Sequence, residues 1–385
     1  MIYLDHNATT RPCAEAIEEV QDALLTLWAN PSSTHAAGQA ARRALADART
    51  RVASFLGCQG AELVFTSGAT EANHMALLGG LAAGRTAGRN RLVLSSVEHP
   101  AQLTLAQRLR GEGVAVDLLP VQTDGSLDLA AAERLIGPDV ALVSVMGANN
   151  ETGVCMPVAA LARLAQAAGA LMHVDATQLA GKSELRFDAS GADLWSVSAH
   201  KLHGPKGIGA LVMRKGLALP ALLSGRQERQ RRGGTENLPG ILGFAAAAER
   251  AALTLRADLA HLHELQQRLE QGLLALSPQV HVYGRSVARL PNTTCLRLGT
   301  LDADQVLSRL ERAGVLASSG AACSAGGTQP SHVLLAMGEP ADRAKAAIRL
   351  STGRDTTVDD IERAIAAVRT ALLPLLADAT QATPV

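Results

Sequence analysis

Residues 171–178 read LMHVDATQ, an apolar run that ends at Asp175 and leads into a turn. Runs of the same kind recur between about residues 60 and 215, each separated from the next by a helical pattern; they span 63–65, 92–94, 114–118, 140–145, 171–174, 194–197 and 208–212. This alternation predicts βα units around a mostly parallel sheet. The runs are apolar at successive positions, as in strands covered by helices on both faces. We therefore predict an α/β fold that binds ligands at the carboxyl ends of its strands.

The periodicity changes on either side of this region. Apolar residues at helical spacing predict two helices before the sheet, carrying first Ile17, Val20, Leu24 and Leu27 behind Pro12, and then Leu45, Ala48, Val52 and Phe55. After residue 240 a long helical stretch leads into a smaller α+β unit, with strands predicted over 293–298 and 348–351 and helices over 302–313 and 357–376. We predict a large domain over 15–255, a small domain formed by 1–14 and 256–376, and a frayed tail over 377–385.

The composition argues against nucleic-acid and membrane partners. The 385 residues carry 36 Lys and Arg and 36 Asp and Glu, so no net charge attracts nucleic acid or an anionic membrane. Two Trp, two Tyr and four Phe are too few for a base-stacking surface. We find no run of about 18 uncharged apolar residues and no signal-peptide pattern at the start, and we expect a cytoplasmic protein.

The cysteines indicate neither disulfides nor a metal site. There are five, an odd number, and no two of them form a CxxC pair. This pattern fits neither a disulfide framework nor a zinc site, so we expect reduced thiols and no bound metal.

Residues 66–71, TSGATE, follow a predicted strand and open a predicted helix. Backbone amides and hydroxyls there, at Ala69 and Thr70 among others, can hold a phosphate at the positive end of the helix dipole. The segment is neither a Walker loop nor a GxGxxG fingerprint. A plain helix cap formed by Ser67 or Thr70 explains the same residues about as well.

Two further strand ends carry ionisable side chains. Asp175 ends an apolar strand, where a buried carboxylate is costly without a cationic partner such as a protonated ring nitrogen; capping of the next turn is the alternative. Lys201 follows the next strand and is either solvated or, in a partly desolvated pocket, able to form a Schiff base. Phosphate loop, carboxylate and lysine on successive strand ends are the set that pyridoxal phosphate requires.

Seven motifs together resemble the cysteine desulfurases of the NifS/IscS class. They are LDHNATT at 4–10, SGATE at 67–71, EH at 98–99, NNETG at 149–153, HVDATQ at 173–178, SAHKLHGPKG at 198–207 and GGTEN at 233–237, in a match from residue 2 to about 370. The resemblance implies the PLP-dependent transferase fold of type I, as in aspartate aminotransferase, and a homodimer with pyridoxal 5'-phosphate as cofactor. It also implies conversion of L-cysteine to L-alanine. The sulfur would pass to an enzyme cysteine and then to an iron–sulfur scaffold or another acceptor protein.

Matching positions imply roles around the cofactor. Lys201 would bind it covalently, Asp175 would pair with its pyridine nitrogen, and Gln178 would donate to its ring oxygen. His99 would stack on the ring face and relay a proton. The residues that would hold the phosphate are Ala69, Thr70, Ser198, His200 and, from the other subunit, Thr235.

The segment SSGAACS at 318–324 places Cys323 among small residues, a setting that a core cysteine does not need. The resemblance makes Cys323 the nucleophile that attacks the substrate sulfur and carries it as a persulfide on a mobile loop. Ala321 stands where serine is commonest in the family. We assign no role to the other cysteines, which are Cys13, Cys58, Cys155 and Cys295.

The substrate carboxylate has a candidate partner in Arg349, on a predicted strand of the smaller unit. A planar guanidinium suits a bidentate grip on a carboxylate, and the position matches the family's substrate arginine, with Asn150 assisting there and near the ring oxygen. The arginine-rich stretch 226–234 is interpreted as a solvated dimer-interface loop that leads to Thr235, rather than as a nucleic-acid patch.

Two other functions remain open. A selenocysteine lyase would use the same cofactor chemistry without a thiol relay for selenium, and a sulfur-pathway scaffold would retain only residual cofactor binding. The joint presence of Lys201, Asp175, His99, Cys323 and Arg349 argues against the scaffold, which has no need of all five.

Overall fold

The computed structural model describes residues 1–184, 186–319 and 329–376. The strands are β1 (Ile2–Tyr3), β2 (Leu63–Thr66), β3 (Arg91–Ser95), β4 (Ala115–Leu119), β5 (Val140–Met146), β6 (Leu171–Asp175), β7 (Leu194–Ser198), β8 (Gly209–Met213), β9 (Val280–Val282), β10 (Thr293–Leu298), β11 (Val315–Leu316), β12 (Ser318–Ser319) and β13 (Ala347–Ser351). The helices are α1 (Ala14–Thr26), α2 (Ala36–Leu56), α3 (Ala69–Thr86), α4 (Pro100–Gly111), α5 (Leu129–Leu135), α6 (Val158–Ala168), α7 (Phe187–Ser190), α8 (Gln227–Gln230), α9 (Leu238–Leu274), α10 (Ala303–Arg312), α11 (His332–Ala336), α12 (Ala341–Lys345) and α13 (Val358–Ala371).

The larger sheet confirms the prediction of a mostly parallel arrangement. Its seven strands lie in the order β2-β8-β7-β6-β5-β3-β4. Only β8 runs against the others, since it is antiparallel to both of its neighbours. Along β3, Leu92 and Leu94 join one hydrophobic cluster whereas Val93 joins another. Both faces of the strand are therefore buried, which explains why the sequence is apolar at successive positions.

The smaller sheet is antiparallel, with the order β12-β13-β10-β9, and β1 pairs separately with β11. A second hydrophobic core fills the space between this sheet and helices α10 and α13, and includes Val306, Ile361 and Ile365. The 37-residue helix α9 contributes Phe244 to the core of the larger sheet and Leu265 to that of the smaller one. One helix thus joins the two cores.

Helix α9 is also long and apolar enough to cross a membrane when judged by length and composition alone. Within this fold, 61% of its most apolar window is buried. Its apolar character is thus accounted for by the core that it fills.

Helix α1 lies where the periodicity predicts a helix, but its large apolar residues face outward. Ala16 and Ala23 form the buried side, whereas Ile17 is 50% and Leu24 61% exposed. A Cβ added at Gly243 of α9 would lie 2.6 Å from Val20 Cγ2. The two helices therefore approach through small residues. The large ones on α1 remain exposed.

Candidate active site

A cavity of about 520 Å³ lies where the carboxyl ends of β6 and β7 meet the amino end of α3. It is bordered by parts of the chain that are far apart in sequence, from Asn7 to Arg349. The residues predicted from sequence that line it are Ala69, Thr70, His99, Asn150, Asp175, Gln178, Ser198, His200, Lys201 and Arg349.

The amino end of α3 is open toward this cavity. Its N-cap is Gly68, and no side chain of the described residues caps the helix, so the alternative of a plain Ser67 or Thr70 cap does not hold. The loop is packed tightly, because a Cβ added at Gly209 of β8 would lie 2.7 Å from Gly68 Cα. First-turn amides beside the Thr70 and Ser198 side chains form a surface suited to an anion.

Glu71 lies at the same helix end, but its charge is balanced. Its carboxylate pairs with Arg232 at 2.8 Å and accepts from the Ser67 amide at 2.7 Å. Burial acts to raise the pKa of Glu71, and the hydrogen bonds from Arg232 and Ser67 outweigh it, so the pKa is lowered. The amino end of α3 therefore does not face an uncompensated carboxylate.

Asp175 ends β6 and is 6% exposed. Its Oδ2 accepts from Asn73 Nδ2 at 2.7 Å and from Gln102 Nε2 at 3.1 Å, and its Oδ1 accepts from the Thr177 amide at 3.0 Å. The last contact is the predicted turn cap. All three donors are neutral, and no ion pair to Asp175 occurs within the described ranges. A buried carboxylate thus borders the cavity without a cationic partner in the described chain.

Lys201 lies in a short 3-10 turn after β7 and is partly buried. Its Nζ donates to the carbonyl oxygens of Asn7 at 2.5 Å and Ala8 at 2.8 Å. The ammonium is therefore held by the N-terminal segment at the cavity wall, which argues against the alternative of a freely solvated lysine.

Two histidines of the cavity have lowered pKa values. His99 caps α4 by accepting from the Ala101 amide at 3.2 Å. Burial lowers the pKa of His99, and the nearby Lys201 and His332 lower it further, although Asp175 acts in the opposite direction. Burial and the neighbouring lysines, Lys201 first, lower the pKa of His200 to about 4. Both rings are neutral at pH 7.

Arg349, on β13, brings the smaller sheet to the cavity. Its Nη1 donates to the Asn150 carbonyl at 2.9 Å and its Nη2 to Asp5 Oδ1 at 2.8 Å. The residue is 2% exposed, and its Nε is buried without a hydrogen-bond partner in the described part of the chain. A guanidinium that is fixed from two sides retains N–H groups for a ligand.

Asn7 was not singled out from sequence, although it lies in the quoted LDHNATT motif. Its carbonyl accepts from Lys201 and from Gln178 Nε2 at 3.1 Å, and its Nδ2 donates to Thr293 Oγ1 at 2.8 Å and to the Asn150 carbonyl. It therefore links the lysine of the larger sheet to strand β10 of the smaller one. Spacing along the chain carries no signal for such contacts.

Glu98, named above only as part of the EH motif, is connected to Asp175 through Gln102. Its Oε1 accepts from Ser95 Oγ at 2.5 Å, and its Oε2 accepts from Gln102 Nε2, which also donates to Asp175. Burial raises the pKa of Glu98 to about 8, and the charge of Asp175 contributes to this rise. Gln102 thus joins two buried acids, a role that a helical position in the sequence does not reveal.

Several residues and segments singled out from the sequence do not line the cavity. Thr235 is exposed on the segment before α9, and Cys323 lies outside the described residues. The arginine-rich stretch is less solvated than expected, because Glu228 is buried and pairs with Arg49 at 2.5 Å. No cluster of His, Cys, Asp or Glu suited to a metal occurs among the residues that the structure describes.

Comparison with known proteins relates this chain to an enzyme family. The model of the class-V aminotransferases matches residues 2–364. The cysteine desulfurase of Cereibacter sphaeroides is 46% identical, over 94% of this chain and 93% of its own. A solved NifS-like protein aligns with a TM-score of 0.89 at 33% identity, over 96% of this chain and 99% of its own. SspA, solved in complex with cysteine, aligns with a TM-score of 0.80 at 30% identity, over 93% of this chain and 100% of its own.

These matches cover nearly the whole chain, and the fold expected for PLP-dependent transferases of type I is confirmed. The chain belongs to the class-V aminotransferase family and, within it, to the cysteine desulfurases.

Proposed function

We propose that this enzyme uses pyridoxal 5'-phosphate to convert L-cysteine to L-alanine and passes the sulfur to its own Cys323. One observation carries the proposal: Asp175 is buried beside the cavity with only neutral donors in the described chain. A buried carboxylate that borders the cavity is suited to a cationic group of the ligand, and a protonated pyridine nitrogen would supply one. Lys201 and the open end of α3 border the same cavity.

The residues present fit the cofactor. The amino end of α3, with Ala69 and Thr70, would hold its phosphate, together with the side chains of Ser198 and His200. Gln178 would donate to the ring oxygen, and His99 would lie on the ring face. Thr235, exposed in its own chain, would reach the phosphate of a second copy. When bound, pyridoxal phosphate supplies an electron sink for the carbanion formed at the substrate Cα.

The chain's own side chains then bind the substrate and move its protons. Arg349 holds the cysteine carboxylate through the N–H groups that Asp5 and Asn150 leave available, and the Asn150 side chain assists. Lys201 accepts the Cα proton, and the neutral ring of His99, whose Nδ1 accepts from the Ala101 amide, carries a proton on Nε2 that it can donate. Asp175 would pair with the ring nitrogen.

Cys323 would complete the sulfur transfer. Its thiolate attacks the substrate sulfur, an S–S bond forms, and the Cβ–S bond breaks with its electron pair left on the substrate carbon. Protonation of that carbon and return of a proton to Cα yield alanine, and the enzyme retains a persulfide. The persulfide then passes to an iron–sulfur scaffold or another acceptor protein. The Ala321 substitution near Cys323 removes no reacting atom.

A homodimer accounts for the outward apolar face of α1. Leu24 is 61%, Leu25 69% and the nearby Trp28 78% exposed, and a large apolar patch of this kind is typical of an interface. We further propose a cytoplasmic enzyme with a large domain over 15–255 and a small domain formed by 1–14 and 256–376.

The decisive experiment combines cofactor trapping with product analysis. The protein reconstituted with pyridoxal phosphate should absorb in the near-visible range, and borohydride should fix the cofactor to the peptide that contains Lys201. Lys206→Ala, which removes another lysine of the same cavity, is the matched control and should leave the label in place. With cysteine and an added thiol reductant, which releases the persulfide sulfur as sulfide, alanine and sulfide should form in equal amounts. A colourless protein after reconstitution would overturn the proposal.

A further inference from the structure

Lys182 is a buried lysine that neither the motifs nor the roles above explain. It lies in the turn after β6, four residues beyond Gln178, and is 7% exposed. Its Nζ donates to Gln178 Oε1 at 2.6 Å and to Asn7 Oδ1 at 3.3 Å. Among the described residues no carboxylate forms an ion pair with it. A lysine buried without such a partner is costly, so its position requires a reason.

The contacts of Lys182 determine which way the Gln178 amide points. The Asn7 carbonyl can only accept, so the Gln178 atom at 3.1 Å from it is the nitrogen Nε2. The ammonium of Lys182 can only donate, so the Gln178 atom at 2.6 Å from it is the oxygen Oε1. The contacts with Asn7 and with Lys182 thus favour the same orientation of the amide, and Lys182 is the partner that satisfies its oxygen. One N–H of Nε2 is used by Asn7, and Gln178 is among the residues that line the cavity.

We infer that Lys182 is a positioning residue that fixes the Gln178 amide so that an N–H, and not the carbonyl oxygen, faces the cavity. The inference rests on the proposed function, in which the atom opposite Gln178 is the ionised ring oxygen of the cofactor. An N–H stabilises that oxygen, whereas a rotated amide would place one oxygen against another. Lys182 itself does not touch the cofactor in this arrangement, since it acts through Gln178.

The surroundings of Lys182 are consistent with a donor of this kind. Burial lowers its pKa well below the ordinary value, and the charges of Lys201 and Arg349 lower it further. A neutral amine keeps two N–H groups, enough to donate to Gln178 Oε1 and to Asn7 Oδ1, and the Asn7 carbonyl still excludes the rotated amide in that state. The geometry of donors and acceptors, and not the charge, therefore carries the effect.

A double-mutant cycle on the cofactor-loaded enzyme tests this inference. The variants are Lys182→Met, Gln178→Met and both together, and the readout is the pH at which the visible absorbance of the bound cofactor is half-maximal. Loss of an N–H donor disfavours the ionised ring oxygen, so Lys182→Met should raise this pH by about one unit. In the Gln178→Met background the same substitution should produce almost no shift. Lys182→Arg keeps the donor and should remain near the unmodified enzyme.

The outcomes separate the possible causes. An equal shift in both backgrounds would show that Lys182 acts through space by its charge, and no shift in either would show that it does not act at all; both overturn the inference. If Lys182→Met does not fold, Lys182→Ala, which also lacks the donor, replaces it in the cycle under the same criteria. An unmodified enzyme without a visible band would instead contradict the proposed cofactor.

Discussion

The guanidinium of Arg349 donates to the carboxylate of Asp5 across 2.8 Å, although 344 residues separate them in sequence. A second contact, from Nη1 to the Asn150 carbonyl, holds the same group from the larger sheet. The arginine is therefore oriented before any substrate binds. Its Nε is buried without a hydrogen-bond partner in the described chain.

Replacement of Arg349 by lysine should impair substrate capture although the charge is kept. A lysine ammonium cannot hold Asp5 and Asn150 and also form two parallel hydrogen bonds to a carboxylate. We expect kcat/KM for cysteine to fall by roughly 10- to 100-fold. Arg289→Lys, at a buried pair with Glu270, is the matched control and should have little effect. An unchanged kcat/KM would remove Arg349 from the carboxylate site.

Asp175→Asn should reduce alanine formation by at least about 100-fold, because the ring nitrogen loses its negatively charged partner. Cofactor binding through the phosphate should survive. The control is Asp193→Asn, at the opposite end of the sheet, where the carboxylate pairs with Arg214. The measurement is the steady-state rate of alanine production for each variant. Similar rates for both would show that Asp175 is only a turn cap.

Cys323→Ser should abolish sulfide release and persulfide labelling, while the cofactor absorbance and its change on addition of cysteine remain. A serine hydroxyl stays protonated at neutral pH and cannot take the sulfur. Continued release of selenium from selenocysteine by this variant would favour the lyase alternative. Mass spectrometry of the persulfide locates the reacting thiol.

The other cysteines are poor competitors for this role. Burial raises the pKa of Cys58 to about 12 and of Cys155 to about 11, and it also raises the pKa values of Cys13 and the fully buried Cys295. Thiolates at these positions are therefore scarce at neutral pH. A persulfide traced to any of the four would show that Cys323 is the wrong cysteine.

The buried Glu151 should make the stability of the fold depend on pH. Burial raises its pKa to about 7, against a small opposing effect of Ser331 and Arg349. The folded chain then holds this proton more tightly than the unfolded chain does. The contribution of Glu151 to stability is complete below its ordinary pKa of 4.5 and is lost as the pH rises toward 7.

Comparison of Glu151→Gln with the unmodified protein measures this contribution. Relative to the variant, the unmodified protein should lose about 3 kcal/mol of unfolding free energy between pH 4 and pH 8. Urea unfolding at several pH values gives the difference. A difference that does not vary with pH would mean that Glu151 titrates normally.

The sequence alone was sufficient to predict the class of fold and the edge of the sheet at which polar side chains meet. Alternation of apolar runs and helices predicts parallel strands, and parallel strands bring their carboxyl ends to one edge. Asp175 and Lys201 follow neighbouring strands and do line one cavity. These relations depend on local periodicity, which a single sequence contains. The chemical roles of the two residues remain proposals.

Tertiary structure alone decided which side of α1 is buried and how the site is held together. The spacing of Ile17 and Leu24 indicates a helix but not that alanines would pack against α9, because close approach depends on the partner helix. The hydrogen bonds of Asn7, the Asp5–Arg349 pair and the orientation of Gln178 by Lys182 connect segments that no sequence spacing relates. Such contacts exist only once the chain path brings their donors and acceptors within about 3 Å.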